Sequence, residues 1–236
     1  MGKKIILLTG AAGSLGSALA AQCADEAWAT VLLDRDLQGL ERVSDAIEGR
    51  GLEPPVLHPL DLSSMGPDDV QEMLDAIAGQ YGGLDALVHC AARFEALTPL
   101  EHIQPQEWLH SVQVNLNAAW LITAMCLPLL RNAAAGKVYF MLEDLPEVGG
   151  PLWGAYGVCK HALHAMVGQL AAECAGSSLQ ILGINPGPMQ SPLRSRAYIE
   201  ENPSTPAEPA RAAKAVMDLL ADRLLPSGVY ADFGGG

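Results

Sequence analysis

Lys4-Ile5-Ile6-Leu7-Leu8-Thr9-Gly10-Ala11-Ala12-Gly13-Ser14-Leu15-Gly16 is a short apolar run that passes directly into a glycine-rich turn. Beyond the turn, the apolar residues of Ser14–Trp28 recur at helical spacing. The segment therefore reads as strand, turn and helix. Glycine allows positive φ and lets the backbone approach a bound group closely, and the helix that follows aims unpaired N–H groups at the turn. That arrangement suits a pyrophosphate. Gly10, Ala12, Gly13, Ser14, Leu15 and Gly16 are the candidates to hold it.

Outward from this unit, short apolar runs alternate with longer amphipathic ones. Lys4–Thr9, Thr30–Asp34, Pro55–Leu60, Leu84–Cys90, Lys137–Leu142, Gln180–Ile184 and Gly228–Asp232 read as strands. Ser14–Trp28, Leu37–Arg50, Pro67–Tyr81, Pro105–Asn132, Tyr156–Ala175 and Pro206–Arg223 read as helices. Such alternation predicts α/β architecture: a doubly wound parallel sheet of about seven strands with helices on both faces. No linker, repeat or low-complexity tract divides the 236 residues, so one domain over 1–236 is expected. The irregular stretch Pro186–Pro206 is long enough to be a substrate loop.

Asp34 closes the second strand, where a carboxylate accepts hydrogen bonds from an adenosine ribose and repels a 2′-phosphate. This predicts NAD(H). Arg35, next to it, could pair with such a phosphate and keeps NADP(H) open.

Bulk composition removes other classes. Half of the residues are hydrophobic and 17% charged, as in a folded globular protein. A formal charge of −13 repels a phosphate backbone, so nucleic acid is not an expected partner. Five cysteines without a CxxC pair suggest neither disulfide framework nor zinc ribbon, and fit a reducing cytoplasm. The apolar run after Met-Gly-Lys-Lys is too short for a signal peptide, and Ile6 stands where an N-myristoylation motif wants Ser or Thr. No uninterrupted apolar stretch is long enough to span a bilayer. His161 and His164 lack further ligands at metal spacing, so no metal is expected.

Tyr156 and Lys160 stand four residues apart and share one helical face. A tyrosine is a useful acid/base near neutral pH only if its phenolate is favoured, and a nearby ammonium does this. With the glycine turn, this pair resembles the short-chain dehydrogenase/reductase family over essentially the whole chain. In particular it resembles the branch of bacterial oxidoreductases with a Trp-Gly-Ala-Tyr-x-x-x-Lys segment and an Asn-Pro-Gly turn; Trp153–Lys160 and Asn185–Gly187 carry those features. The resemblance implies a Rossmann-type fold and hydride exchange between a nicotinamide and an alcohol or carbonyl. In it Asp61 and Leu62 would meet the adenine, Ala91 would lie in the Asn-Asn-Ala-Gly turn, here His89-Cys90-Ala91-Ala92, and Pro186-Gly187 would flank the nicotinamide. Tyr156 would be the acid/base, Lys160 would favour its phenolate and hold the ribose, and Asn115 would support a proton relay. A homodimer or homotetramer built on the Pro105–Asn132 and Tyr156 helices is also implied.

One position departs from the family. The substrate-orienting serine that it carries thirteen residues before the tyrosine is Glu143 here, and no serine or threonine lies between Met141 and Tyr156. An ionised Glu143 accepts but cannot donate, and opposes the phenolate; a protonated one kept neutral by burial could donate to a carbonyl. A Glu143 turned to solvent would mean a lost catalytic group. Three functions therefore stand open: alcohol–carbonyl oxidoreductase, non-catalytic nucleotide-binding protein, and a non-redox reaction with Glu143 as base. The substrate would lie between Arg93–Thr98, Leu145–Trp153 and the Pro188–Pro206 loop. Leu145, Trp153 and Met189 would make it partly apolar, while Arg93, Arg194 or Arg196 would be available to an anionic group.

Overall fold

The apolar runs become seven parallel strands of one sheet in the computed structural model, which describes residues 3–221, 226–228 and 230–233. These are β1 (Ile5–Thr9), β2 (Ala29–Asp34), β3 (Val56–Pro59), β4 (Ala86–His89), β5 (Lys137–Met141), β6 (Gln180–Asn185) and β7 (Tyr230–Asp232). Their order is β3-β2-β1-β4-β5-β6-β7. Val229 within the predicted last strand, Asp222–Arg223 at the end of the predicted last helix, and Gly2 lie outside the described residues.

The strands read as unbroken apolar runs because both faces of the sheet are covered. Side chains alternate between the two sides: Ile5, Leu7, Val31, Leu33, Val138 and Phe140 enter one core, and Ile6, Leu8, Leu32, Val88, Met141 and Leu182 enter the other. The first core is closed by α3 (Pro67–Tyr81), α5 (Ala118–Asn132) and α7 (Gly154–Glu173). The second is closed by α1 (Ser14–Asp25), α2 (Leu37–Glu48) and α9 (Pro209–Ala221). Shorter helices lie nearer the site: α4 (Pro105–Val112), α6 (Leu145–Val148) and α8 (Pro192–Ala197).

Several boundaries differ from the sequence reading. The first helix stops at Asp25 rather than Trp28, because Ala27 takes φ 59° and turns Trp28 N–H back onto Cys23 O. Pro105–Asn132 is interrupted by a π turn at Gln113–Asn117, an insertion of one residue that apolar spacing does not reveal. That 28-residue segment is long and apolar enough, by length and composition alone, to cross a membrane. Here, however, Ala118, Ile122, Cys126 and Leu130 pack it on the sheet. The stretch expected to be irregular, Pro186–Pro206, contains α8, capped by Ser191, and is tied back by a bridge between Met189 and Ala207.

Candidate active site

Between β3 and β4 the chain crosses from one side of β1 to the other, and in open parallel sheets the crevice at such a reversal is where ligands bind. A cavity of about 500 Å³ opens there. Its walls are the segments leaving the carboxyl ends of the strands: Gly10 after β1, Asp34 and Arg35 after β2, Leu60–Leu62 after β3, Cys90–Glu95 after β4, Met141–Asp144 after β5 and Asn185–Met189 after β6.

At one end lies the glycine turn. Gly10 has φ +66°, and a Cβ there would fall 2.5 Å from the Ala91 backbone. A Cβ on Gly16 would fall 2.2 Å from Gly10 O, so this glycine lets α1 seat on the turn. Gly10, Gly13, Ser14 and Leu15 line the cavity, whereas Ala12 and Gly16, expected there, do not. Ala12 instead donates its N–H to Asp34 Oδ2 at 3.1 Å, while Asp36 N–H donates to Oδ1 at 3.1 Å. Asp34 thus braces the turn from the adjacent strand. Asp61 accepts from Ser63 N–H at 2.9 Å, the main reason its carboxyl lies below the ordinary range.

At the other end, α7 presents Tyr156 and Lys160 one turn apart, both buried. Lys160 Nζ donates to Met141 O at 2.7 Å and lies 5.2 Å from the Tyr156 ring centroid. Glu143, just past β5, lines the cavity, and its Oε1 accepts the Tyr156 hydroxyl at 2.5 Å. The solvent-facing orientation considered for Glu143 does not occur. At Tyr156 other influences outweigh the Lys160 ammonium expected to favour the phenolate. Burial first, then the Glu143 charge and hydrogen bond, hold the Tyr156 hydroxyl well above the ordinary tyrosine value. Burial also lowers Lys160, against the pull of Glu143.

Asn115 is not among the cavity walls. Seated in the π turn, its amide accepts from Arg93 N–H and donates to Arg93 O, both at 2.8 Å, and donates to Ser111 Oγ at 3.0 Å. Its side chain clamps the segment after β4.

The model of the short chain dehydrogenase family matches residues 4–202. The chain belongs to that family. It is 31% identical to YciK of Escherichia coli K12, described as an uncharacterized oxidoreductase, over 93% of this chain and 86% of that one. A structure from Pseudomonas syringae, described as a candidate short chain dehydrogenase, superposes with a TM-score of 0.93 at 31% identity, covering 97% of this chain and 94% of that one. A second, from E. coli CFT073 and solved with NADPH, gives 0.92 at 31% identity, covering 98% and 97%.

For this short-chain dehydrogenase the cavity fits a dinucleotide on its own terms. α1 begins without a side-chain cap and without an acidic residue in its first turn, so no side chain of its own occupies the N–H groups that face the glycine turn. Asp34, Arg35, Asp61 and Leu62 line the part of the cavity beside β2 and β3; Ala91, Tyr156, Lys160, Pro186 and Gly187 line the part beside β4, α7 and β6.

The part of the cavity beyond Tyr156 holds an aromatic arrangement the sequence did not disclose. Phe94, Trp153, Tyr156 and Tyr198 form one aromatic cluster: Phe94 lies 5.4 Å from both Trp153 and Tyr156, and Trp153 lies 6.1 Å from Tyr198. Tyr198 donates to Glu147 at 2.8 Å, and burial with that bond pushes its hydroxyl to about 12. The arginines expected to await an anion are engaged by the protein. Arg194 makes a two-point pair with Glu201 at 2.6 and 2.8 Å and lies over the Tyr198 ring, Arg196 donates to Phe94 O at 3.0 Å, and Arg93 pairs with Glu95 and Glu107. Leu145 packs behind the aromatic cluster instead of lining the cavity. Cys90 and Cys159 have thiols pushed by burial to about 12 and about 11, which makes them poor nucleophiles.

Proposed function

We propose that this protein is an NAD(P)(H)-dependent oxidoreductase that interconverts an alcohol and a carbonyl, with NAD(H) preferred. The observation that carries the proposal is the meeting of Tyr156, Lys160 and Glu143 at the nicotinamide end of a cavity whose other end is the glycine turn. A bound nicotinamide supplies or accepts the hydride. Tyr156, whose proton already points at Glu143, can accept a hydrogen bond from a substrate hydroxyl with its remaining lone pair. In oxidation the substrate proton then passes to the Tyr156 oxygen as the phenolic proton passes to Glu143; reduction reverses both transfers. Lys160 offsets the negative charge of this pair. Asn115 holds Arg93 and with it the wall of the site, and we keep for it a supporting role in the relay.

We rest the preference for NAD(H) on Asp34, which lines the cavity and whose charge would disfavour a ribose 2′-phosphate bound beside it. The relatives from E. coli and Shigella flexneri were solved with NADPH and NADP, so the preference is a property to be measured on this chain. We also place the protein in a reducing cytoplasm, since all five cysteines are free thiols. A homodimer or homotetramer is proposed through α4, α5 and α7, where Leu109, Trp120 and Val158 are exposed.

The test is a titration with NADH and NADPH followed by nicotinamide fluorescence, then a panel of alcohols and carbonyls assayed at 340 nm. Tighter NADH binding with turnover supports the proposal. Binding without any turnover would instead establish a non-catalytic nucleotide-binding protein.

A further inference from the structure

The substrate end of the cavity combines an acidic group at the reacting position with aromatic faces around it. Glu143 touches the Tyr156 hydroxyl, where a substrate heteroatom would sit, and Glu95, Asp144 and Glu147 line the same end. Of the basic side chains there, Arg194 pairs with Glu201 and Arg93 with Glu95 and Glu107 through Nη2, its buried Nε having no hydrogen-bond partner among the described residues; Arg196 donates to a main-chain carbonyl, and Lys160 donates to Met141 O and feels the charge of Glu143. Phe94 and Trp153 present ring surface beside Tyr156. A carboxylate within an aromatic enclosure is chemistry that recognises an ammonium: the rings attract a cation through their quadrupole and the carboxylate accepts its N–H bonds.

Resting on the nucleotide-binding reading, and going beyond its alcohol–carbonyl chemistry, we infer that the site takes substrates whose reacting carbon bears nitrogen, interconverting an amine and an iminium. The substrate arrives as an ammonium and loses one N–H proton to Glu143, directly or through Tyr156. The nitrogen lone pair then forms the C=N bond as the carbon loses hydride to the oxidised nicotinamide, which is reduced. Amine and NAD(P)⁺ thus give iminium and NAD(P)H, and water hydrolyses a released iminium to a carbonyl and an ammonium ion. Positive charge grows on the substrate as hydride departs. By taking up the N–H proton Glu143 acts as the base that frees the nitrogen lone pair, on which departure of hydride depends. An alcohol carries no charge and so forms no ion pair with Glu143 on binding.

The experiment compares benzylamine with benzyl alcohol, the same ring with and without the cation, by calorimetric titration of the full chain with and without saturating NADH. Wild type is expected to bind benzylamine roughly tenfold or more tightly than the alcohol, as a charge-assisted bond with a cation–π contact implies. Glu143→Gln, which keeps the shape and removes the charge, is expected to collapse the ratio, and Glu143→Ser serves the same purpose if circular dichroism shows that the first variant is misfolded. NADH formation from benzylamine and NAD⁺ is then expected to exceed that from benzyl alcohol. Equal binding of the two ligands, or a preference that survives loss of the charge, overturns the inference while leaving alcohol turnover intact. Failure of either nucleotide to bind would instead remove the reading on which it rests.

Discussion

Tyr156 donates its hydroxyl proton to Glu143 Oε1 across 2.5 Å, so the acid/base residue and the group in the serine position form one unit. If the phenolic proton moves onto Glu143 when substrate is deprotonated, neither residue works alone. Tyr156→Phe is expected to lower kcat for oxidation by roughly 10²- to 10⁴-fold, and Glu143→Gln by about 10²-fold. The double variant should be hardly slower than Tyr156→Phe, because residues acting as a unit are not additive. Single-turnover rates of all three variants check this; a double variant slower by the product of the two effects would show separate roles.

Asp34 serves two demands at once. Its oxygens accept Ala12 and Asp36 N–H groups, which fixes the glycine turn, and it lines the cavity. Asp34→Ser is expected to weaken NADH and strengthen NADPH binding, moving the affinity ratio by roughly tenfold or more, since about 1.4 kcal/mol of relieved repulsion suffices. It should also lower stability by about 1–3 kcal/mol through the two lost bonds to a charged group. Fluorescence titration with both nucleotides, beside urea unfolding, separates the two effects.

The split between what the sequence disclosed and what it concealed follows from distance along the chain. β1 and the glycine turn are contiguous, and doubly covered strands must be apolar throughout, so Ile5–Gly16 announced the fold. Tyr156 and Lys160 were legible because four residues fix one helical face. The Tyr198–Glu147 bond, across 51 residues, and the Arg196–Phe94 bond, across 102, carry no local pattern, so the arginines read as available when they are not. Ala12 and Gly16 belong to the right motif but do not line the cavity, a consequence of turn geometry that spacing alone does not contain.

His89 replaces the first asparagine of the family's turn and is fully enclosed, stacked on Phe140 at 4.9 Å with Nε2 2.9 Å from Thr123 Oγ1. Burial lowers its pKa to about 3, so the folded protein keeps it neutral. In the unfolded chain it protonates near 6.5, so the unfolded state binds more protons in this window. Stability is therefore complete above about pH 6.5 and is lost as pH falls toward about 3, by an amount on the order of 4 kcal/mol. His89→Asn is expected to flatten that loss. Urea midpoints from pH 7 to 4 measure it, and an unchanged slope in the variant would assign the acid sensitivity to other groups.

Gly10 and Gly51 both take positive φ, +66° and +74°, but only Gly10 is enclosed. A Cβ at Gly10 meets the Ala91 backbone at 2.5 Å, and neither segment can yield without shifting β1 against β4, whereas a Cβ at Gly51 meets nothing within 4 Å. Gly51→Ala should therefore show the conformational cost alone, about 1–2 kcal/mol. Gly10→Ala should add an overpacking cost of about 1–3 kcal/mol, and displacement of the turn should weaken nucleotide binding as well. Denaturant unfolding and NADH titration of the pair measure both quantities. Equal destabilisation with NADH affinity retained in both would mean that the close approach of Gly10 to Ala91 does not shape the nucleotide site.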